Sequence, residues 1–387
     1  MSSCLHCGQP GLQEWPEFGR LHRITSDCRP WGAGGQLGIC TTCAAVQKPV
    51  TEHWHEECGR IYGHYHAYHQ GKGADQRVFL SGGAGLARSK AFLALVLAGI
   101  PPTATGRLLD VGCGNGNLLA EMSRLHPRWR LAGADLGEDH RAEIEAIPNV
   151  EWFHSTGWED LTGSFDLVTV VHLLEHLDQP VQCLKALALC LAPGGRLAIE
   201  VPNLRTNPFD LVITDHCSHY TAASLHRVLA ASGLRSQILE DSIPREITAI
   251  ARGLEDADSP SGFLDGTEPS KSEKVEEVRV LVEHHLDWLS ALLKLARESA
   301  SHGSKLAIMG SSIAAGWVAG ELDGLVDVFI DEDPDRIGGS FLGLLILAPE
   351  KLPKNVPLLL PMTPATAVGV AARMTALGLH VILPPPW

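Results

Sequence analysis

Apolar and polar positions alternate along this chain with two periods, and each change of period marks a change of element. Between Thr105 and about Gly253, short strand-like apolar runs (RLLDV, RWRLAGAD, VEWF, FDLVTVV, GRLAIEV) are separated by longer runs with apolar residues at helical spacing. That alternation predicts an α/β fold with a doubly wound parallel sheet. Two further runs, GLRSQILED and ITAIARGL, predict antiparallel strands that finish the sheet. Upstream, KAFLALVLAGI predicts a helix that Pro101 and Pro102 stop. Downstream, a stretch from Leu254 to Lys274, rich in Ser, Pro and Asp, reads as a linker. Val275, Val278, Val282, Leu286, Leu289, Leu293 and Ala296 then recur at helical spacing and predict one long amphipathic helix whose stripe faces a core. KLAIMGSSIAAGW repeats the order strand, glycine turn, helix. VDVFIDEDPD predicts a strand running to Asp331 and Asp333, and PLLLPMTPATAVGVAARMTALGLHVIL another β-α-β, so the last third predicts a second, Rossmann-like α/β unit. Residues 1 to about 75 have few aliphatic runs. The expected division is 1–75, 76–255 and 256–387.

Composition narrows the partners. The 387 residues are 45% hydrophobic, as expected of a globular chain, and carry a net charge of −14. An acidic surface argues against non-specific binding to nucleic acid or anionic membranes and leaves small molecules as the expected partners. No run approaches the roughly 18 uncharged apolar residues of a membrane span. The start, MSSCLHCGQP, lacks the basic and apolar regions of a signal peptide, so the cytoplasm is the expected compartment. A monomer and a homodimer fit equally well.

The chemistry starts at RLLDVGCGNGNLL. A strand ends at the acidic Asp110, a glycine turn follows, and a helix begins behind it. Glycines allow a sharp turn and close approach of a ligand, and the helix start presents free N–H groups. The next strand ends in Asp135, at the offset of about 20 residues where a carboxylate accepts ribose hydroxyls. The acidic residue ahead of the first glycine distinguishes this turn from a G-x-G-x-x-G dinucleotide loop. It resembles motif I of class I S-adenosylmethionine (SAM) methyltransferases. The cofactor-binding candidates are Asp110, Gly112, Cys113, Gly114, Asn115 and Gly116, then Asp135 and Leu136, with Trp158 after the third strand and His172 after the fourth. Trp158 offers stacking to an adenine, and Glu159 and Asp160 stand beside it as polar alternatives.

Ten cysteines without a secretory signal point to metal ligands and free thiols. Cys4-x2-Cys7 and Cys40-x2-Cys43 are two knuckles that make an S4 set suited to a structural Zn2+. A segment with so little core needs such a staple. A redox pair and unliganded thiols are the other readings, and Cys28 and Cys58 stand outside the pattern. His53, His55, His64, His66 and His69, interleaved with Tyr62, Tyr65 and Tyr68, read as a second metal site, a substrate-facing loop or a polar surface.

Proton-transfer groups gather after the fourth and fifth strands. His172, Glu175 and His176 follow FDLVTVV. Asp215, His216, His219 and Tyr220 precede a helix that Thr221 or Ser224 caps. In parallel α/β sheets ligands sit at the carboxyl ends of strands, so both clusters are expected to face the cofactor. His216, Asp215 and His176 are the catalytic candidates.

Across essentially its whole length the chain resembles the three-part sugar C-methyltransferases of deoxysugar pathways. CTTCAAVQ is similar to that family's second zinc knuckle, LLDVGCGNGNLL to its SAM loop, and DHCSHY to its Glu-His-x-Ser-Tyr-Phe stretch. FIDEDPDRIGG is similar to its C-terminal Asp-Asp-Asn-Pro-x-Lys-x-Gly segment. The resemblance implies an N-terminal zinc-binding domain held by Cys4, Cys7, Cys40 and Cys43, a central SAM domain and a C-terminal Rossmann-like domain. It implies His216 as general base with Asp215 beside it, and His176 in the acceptor pocket. The acceptor it implies is a nucleotide-linked ketosugar, methylated next to its ketone. Two departures bear on that acceptor: Ala315 stands where the family has lysine, and His219 where it has tyrosine. O- or N-methylation of another metabolite and a non-catalytic SAM- and zinc-binding module are the alternatives.

Overall fold

In the computed structural model, residues 3–65, 73–78, 85–253, 273–300 and 306–387 are described. His66, Tyr68, His69, residues 79–84 with most of the SGGAG stretch, and most of the expected linker lie outside them.

A seven-stranded sheet occupies the middle of the chain. Its strands are β1 (Gly106–Val111), β2 (Trp129–Asp135), β3 (Val150–Ser155), β4 (Phe165–Val171), β5 (Leu191–Pro202), β6 (Leu234–Glu240) and β7 (Glu246–Gly253). They lie in the order β3-β2-β1-β4-β5-β7-β6. All pairs are parallel except the two made by β7. The order reverses beside β1, so the carboxyl ends of β1 and β4 form the crevice where ligands bind in such sheets. Buried on both faces, β1, β4 and β5 read as continuous apolar runs for that reason. β5 starts earlier than its pattern suggests. It takes in the Pro-Gly-Gly turn, with a register shift against β4 between Phe165 and Leu167.

Helices α2 (Arg88–Val96), α3 (Asn117–Leu125), α4 (Pro180–Ala188) and α5 (Ala222–Ala231) flank this sheet; α1 (Glu52–Tyr62) belongs to the N-terminal part. α2 ends well short of Pro101; Gly99, at φ +82°, turns the chain first. Thr221 caps α5 in a reciprocal box with Ser224, so both expected cap residues serve.

The N-terminal part forms a four-stranded sheet of Leu12–Glu14, Gly38–Cys40, Val46–Gln47 and Ser218–His219. Its last strand comes from the DHCSHY stretch, so the loop after β5 is built into the N-terminal sheet.

The C-terminal sheet has six strands, mostly parallel: β8 (Leu306–Met309), β9 (Val326–Ile330), β10 (Leu344–Leu347), β11 (Leu358–Leu359), β12 (Val381–Ile382) and the edge pair Ser340–Phe341. The long helix expected from the valine–leucine stripe is α6 (Val275–Ala300), and its stripe is buried from Val278 onward. α7 (Ile313–Glu321) follows β8, and α8 (Pro364–Ala376) precedes β12. One apolar cluster joins Phe18, Ile24, Ile39, Phe209, Leu211, Leu289, Trp317 and Phe329, so the N-terminal part, the 204–213 segment and the C-terminal part share a core. α7 makes that contact at Gly320, where a Cβ would stand 2.5 Å from Pro30. No helix among the described residues is long and apolar enough to cross a membrane.

Candidate active site

Two half-sites meet at the crevice. The first is the loop between β1 and α3. Gly112, Gly114 and Gly116 adopt φ of +74°, +53° and +81°, a region L side chains rarely enter. The Gly112 and Cys113 amides bond to the Ala134 carbonyl (2.8 and 3.1 Å), laying the loop against the end of β2. Asp135 sits there. Its two oxygens accept from the Gly114 and Gly137 amides at 2.9 and 3.0 Å, which fixes the carboxylate and leaves each oxygen capacity for another donor. Leu136 beside it is 75% exposed, an apolar surface next to a fixed acceptor, as the adenosine of SAM requires. Asp110 is buried beneath the loop and accepts from Thr169 Oγ1 at 2.6 Å; burial pushes its carboxyl up to about 7 against that bond. The Cys113 side chain packs into the core, so only its backbone faces the loop. Asn115 donates to the Gly73 carbonyl at 2.7 Å, which brings residue 73 over the loop. Trp158 is half-buried against the core around β4 and α4, with Glu159 and Asp160 exposed.

The second half-site is a set of histidines. His216 Nδ1 donates to Asp210 Oδ1 at 2.6 Å, and His219 Nδ1 to Asp210 Oδ2 at 2.6 Å. Burial alone would raise the Asp210 carboxyl; the two imidazoles outweigh it and hold it below the usual carboxylate range. Asp210 is therefore an anion, and each imidazole points a proton-bearing Nδ1 at it, which turns His216 Nε2 away from Asp210. Lys48, fully buried, donates to the Ile213 and His216 carbonyls (2.6 and 2.8 Å) and to His219 Nε2 (3.2 Å). That bond requires a lone pair on His219 Nε2; burial and the neighbouring Lys48 pull the His219 pKa down to about 4, so the ring is neutral.

His176 packs edge-on against His216 with ring centroids 4.5 Å apart. Its Nδ1 donates to the Asp215 carbonyl at 3.1 Å and lies 3.0 Å from the Tyr62 hydroxyl. Burial and His216 lower its pKa. Asp215 does not orient His216, the role expected of it. Its carboxylate accepts from the Ser26 amide at 2.9 Å and the Ser26 hydroxyl at 2.5 Å, with His176 Nδ1 3.5 Å away. The orienting carboxylate is Asp210, because the turn at 210–216 folds the chain back on itself while neighbouring side chains diverge.

His172, placed among the cofactor residues from the sequence, sits in an ion cluster instead. Its Nδ1 donates to Glu175 at 3.0 Å, and Nε2 lies 3.4 Å from Glu200 and 3.7 Å from Glu246. Arg88 joins both of the latter, at 2.9 and 3.1 Å. Burial and Arg88 push the imidazole down, but the three carboxylates outweigh them and raise it to about 10; its Nε2 also meets the Arg88 guanidinium, so both nitrogens are engaged. Of the remaining histidines, His55 pairs with Asp178 at 3.1 Å and His64 with the Arg60 carbonyl at 3.3 Å; neither meets a second histidine among the described residues. Asp210, Lys48, Ser26, Arg88, Glu200 and Glu246 escaped the sequence reading; only Asp210, six positions before His216, stood close enough to be found from it.

The four knuckle sulfurs lie within 4.8 Å of one another, Cys4–Cys43 at 3.6 Å and Cys7–Cys40 at 3.7 Å. Zn–S bonds of about 2.3 Å in a tetrahedron give sulfur–sulfur edges of about 3.8 Å, so the set fits zinc.

Residues 86–237 match the family model described as "Methyltransferase domain". This stretch is a class I methyltransferase domain. It carries both half-sites except Lys48, Ser26, Tyr62, Glu246 and the segment at residue 73. Curated relatives are similar over about a third of the chain. The ubiquinone biosynthesis O-methyltransferase of Xanthomonas oryzae pv. oryzae (strain PXO99A) is 34% identical over 133 residues, 32% of this chain and 54% of that protein. That of Aeromonas salmonicida (strain A449) is 29% identical over 150 residues, 33% of this chain and 62% of that protein. The chain thus spans little more than half the length of these relatives. Among solved structures, the mitomycin 7-O-methyltransferase MmcR is 18% identical, with 43% of this chain and 53% of that chain covered at a TM-score of 0.37.

Proposed function

We propose that this chain is a SAM-dependent methyltransferase of a small molecule that methylates a carbon next to a ketone, with His216 as the base. The Asp210–His216 pair supports this reading. A buried carboxylate holds the Nδ1 proton and leaves Nε2 as a lone pair, as a general base requires. When bound, SAM supplies an electrophilic methyl group. Asp135, Leu136 and the Gly112–Gly116 loop would hold it, with Asp110 beneath. His216 Nε2 takes the proton α to the carbonyl, and the charge is kept on the imidazole by Asp210. His176, beside His216, borders the acceptor. Lys48 and His219 keep Asp210 anionic from behind.

In the same proposal Zn2+ is held by Cys4, Cys7, Cys40 and Cys43 and staples residues 1–75. Residues 256–387 form a second, Rossmann-like α/β unit. The acceptor proposed is a ketone-bearing sugar, linked to a nucleotide in the deoxysugar family; Ala315, on the buried face of α7, supplies no charge for the phosphates.

O-methylation is the second reading, favoured by the similarity to ubiquinone biosynthesis O-methyltransferases. Incubating a ketone acceptor in deuterium oxide separates the two. Carbon methylation predicts exchange of the α proton catalysed by wild type and lost in His216→Ala; an O-methyltransferase leaves that proton in place.

A further inference from the structure

Glu175, His176 and His216 make a second cluster of metal-ligating type. One ligand atom from each lies within 4.8 Å of the others. Both imidazoles are already tied through Nδ1, His216 to the Asp210 carboxylate at 2.6 Å and His176 to the Asp215 carbonyl at 3.1 Å. A carbonyl only accepts, so donation from His176 Nδ1 to Asp215, with the Tyr62 hydroxyl beside it at 3.0 Å, leaves the lone pair of that tautomer on Nε2. Metal-binding histidines are prepared in this way: the second nitrogen donates to a carboxylate or carbonyl, which fixes tautomer and ring orientation. Among the described residues neither Nε2 takes a hydrogen bond.

The third member adds an independent observation. The Glu175 side chain is 0% exposed. Its Oε1 accepts from His172, while Oε2 is buried and has no hydrogen-bond partner among the described residues. A buried carboxylate oxygen left unmatched is costly and calls for a cation or a donor. Two imidazoles and one carboxylate suit zinc, cobalt(II) or iron(II) better than magnesium or calcium, which favour all-oxygen shells. Three protein ligands also leave coordination positions open.

We infer that Glu175, His176 and His216 bind a divalent transition-metal cation, and that this cation competes with the acceptor. The second clause rests on His216 being the base. A metal on Nε2 occupies the lone pair that would take the substrate proton, so the loaded site is silent in methyl transfer. SAM lies on the glycine-loop side and is not displaced.

The full-length protein, stripped and reloaded with zinc, is assayed for bound metal by mass spectrometry and for inhibition. Wild type is expected to hold a second equivalent beyond the one at the cysteines. Glu175→Gln, which keeps the side chain's shape, and His176→Ala are each expected to lose that equivalent and keep the first. Cobalt(II) added to wild type that holds one equivalent of zinc, at the cysteines, should give visible d–d bands without sulfur charge transfer. Zinc should raise the apparent KM for the acceptor and leave SAM affinity unchanged. A single equivalent in wild type, with no cobalt bands, overturns the site and leaves the base assignment intact. A second equivalent that turnover requires keeps the site but overturns the competition, and with it the role of His216 as base.

Discussion

His216 Nδ1 lies 2.6 Å from Asp210 Oδ1, a short bond between side chains six positions apart on one turn of chain. It decides which nitrogen of His216 faces outward. Asp210→Asn leaves a side chain of the same shape that can donate to Nδ1 and turn the ring to the wrong tautomer. Turnover is expected to fall by about 100- to 10,000-fold, with SAM affinity by calorimetry unchanged. Full activity in Asp210→Asn would contradict the pairing.

Lys48 reaches the same network from the N-terminal part, 3.2 Å from His219 Nε2. Lys48→Met removes the donor that sets the His219 tautomer and leaves two carbonyls unmatched. The expected result is a lower kcat with a shifted pH profile, little change in the KM for SAM, and partial recovery in Lys48→Arg. A change in thermal stability alone, with kcat and its pH profile unmoved, would make Lys48 structural only.

On the cofactor side, Asp135→Ala removes the carboxylate pinned by Gly114 and Gly137. SAM affinity is expected to weaken roughly 10- to 100-fold, the range for hydrogen bonds to a charged group, with isothermal calorimetry as the check.

Asp110 gives a pH signature. Its carboxyl is raised to about 7 in the fold, against about 3.9 in an unfolded chain, so folding favours the protonated form. The stability this confers is complete at low pH and is lost as pH rises through the window between those values. Asp110→Asn is neutral throughout. The melting temperature of the ligand-free variant, relative to wild type, should therefore climb from about pH 4 to pH 7 and then level off. A constant offset would refute the shift.

Zinc removal should act at a distance. Val46–Gln47, just beyond the second knuckle, pairs with Ser218–His219, and Lys48 follows. Cys40→Ser is expected to lower turnover more than SAM affinity, read by parallel rate and calorimetric measurements.

The cofactor half of the site was legible because its chemistry is local. The loop glycines are adjacent, and Gly114 meets Asp135 only 21 positions on, across neighbouring parallel strands. The proton-transfer half was legible as a cluster but not as a network. Lys48 and His219 are 171 positions apart, and Arg88 meets Glu246 across 158. Nothing in composition or period links such pairs. Adjacent residues also misled: Asp215 directly precedes His216, yet its carboxylate turns to Ser26, 189 positions away. His172 looked like a ligand-facing group because it follows a strand end; Arg88, Glu175 from the turn after β4, Glu200 from β5 and Glu246 from β7 tie both of its nitrogens into an ion cluster. The element order of the central sheet was legible, whereas the short strands of the N-terminal sheet, one of them Ser218–His219, were not, and the shared core of the N- and C-terminal parts depends on close packing at Gly320 and Pro30 that no periodicity records.

The most direct measurement follows the methyl carbon. Wild type and His216→Ala are incubated with methyl-13C SAM and ketone-bearing sugars, and the product is read by NMR. A label on the carbon next to the ketone in wild type, absent in His216→Ala at unchanged SAM affinity, is the predicted result. A label on oxygen or nitrogen, or turnover in His216→Ala within a few-fold of wild type, would contradict it.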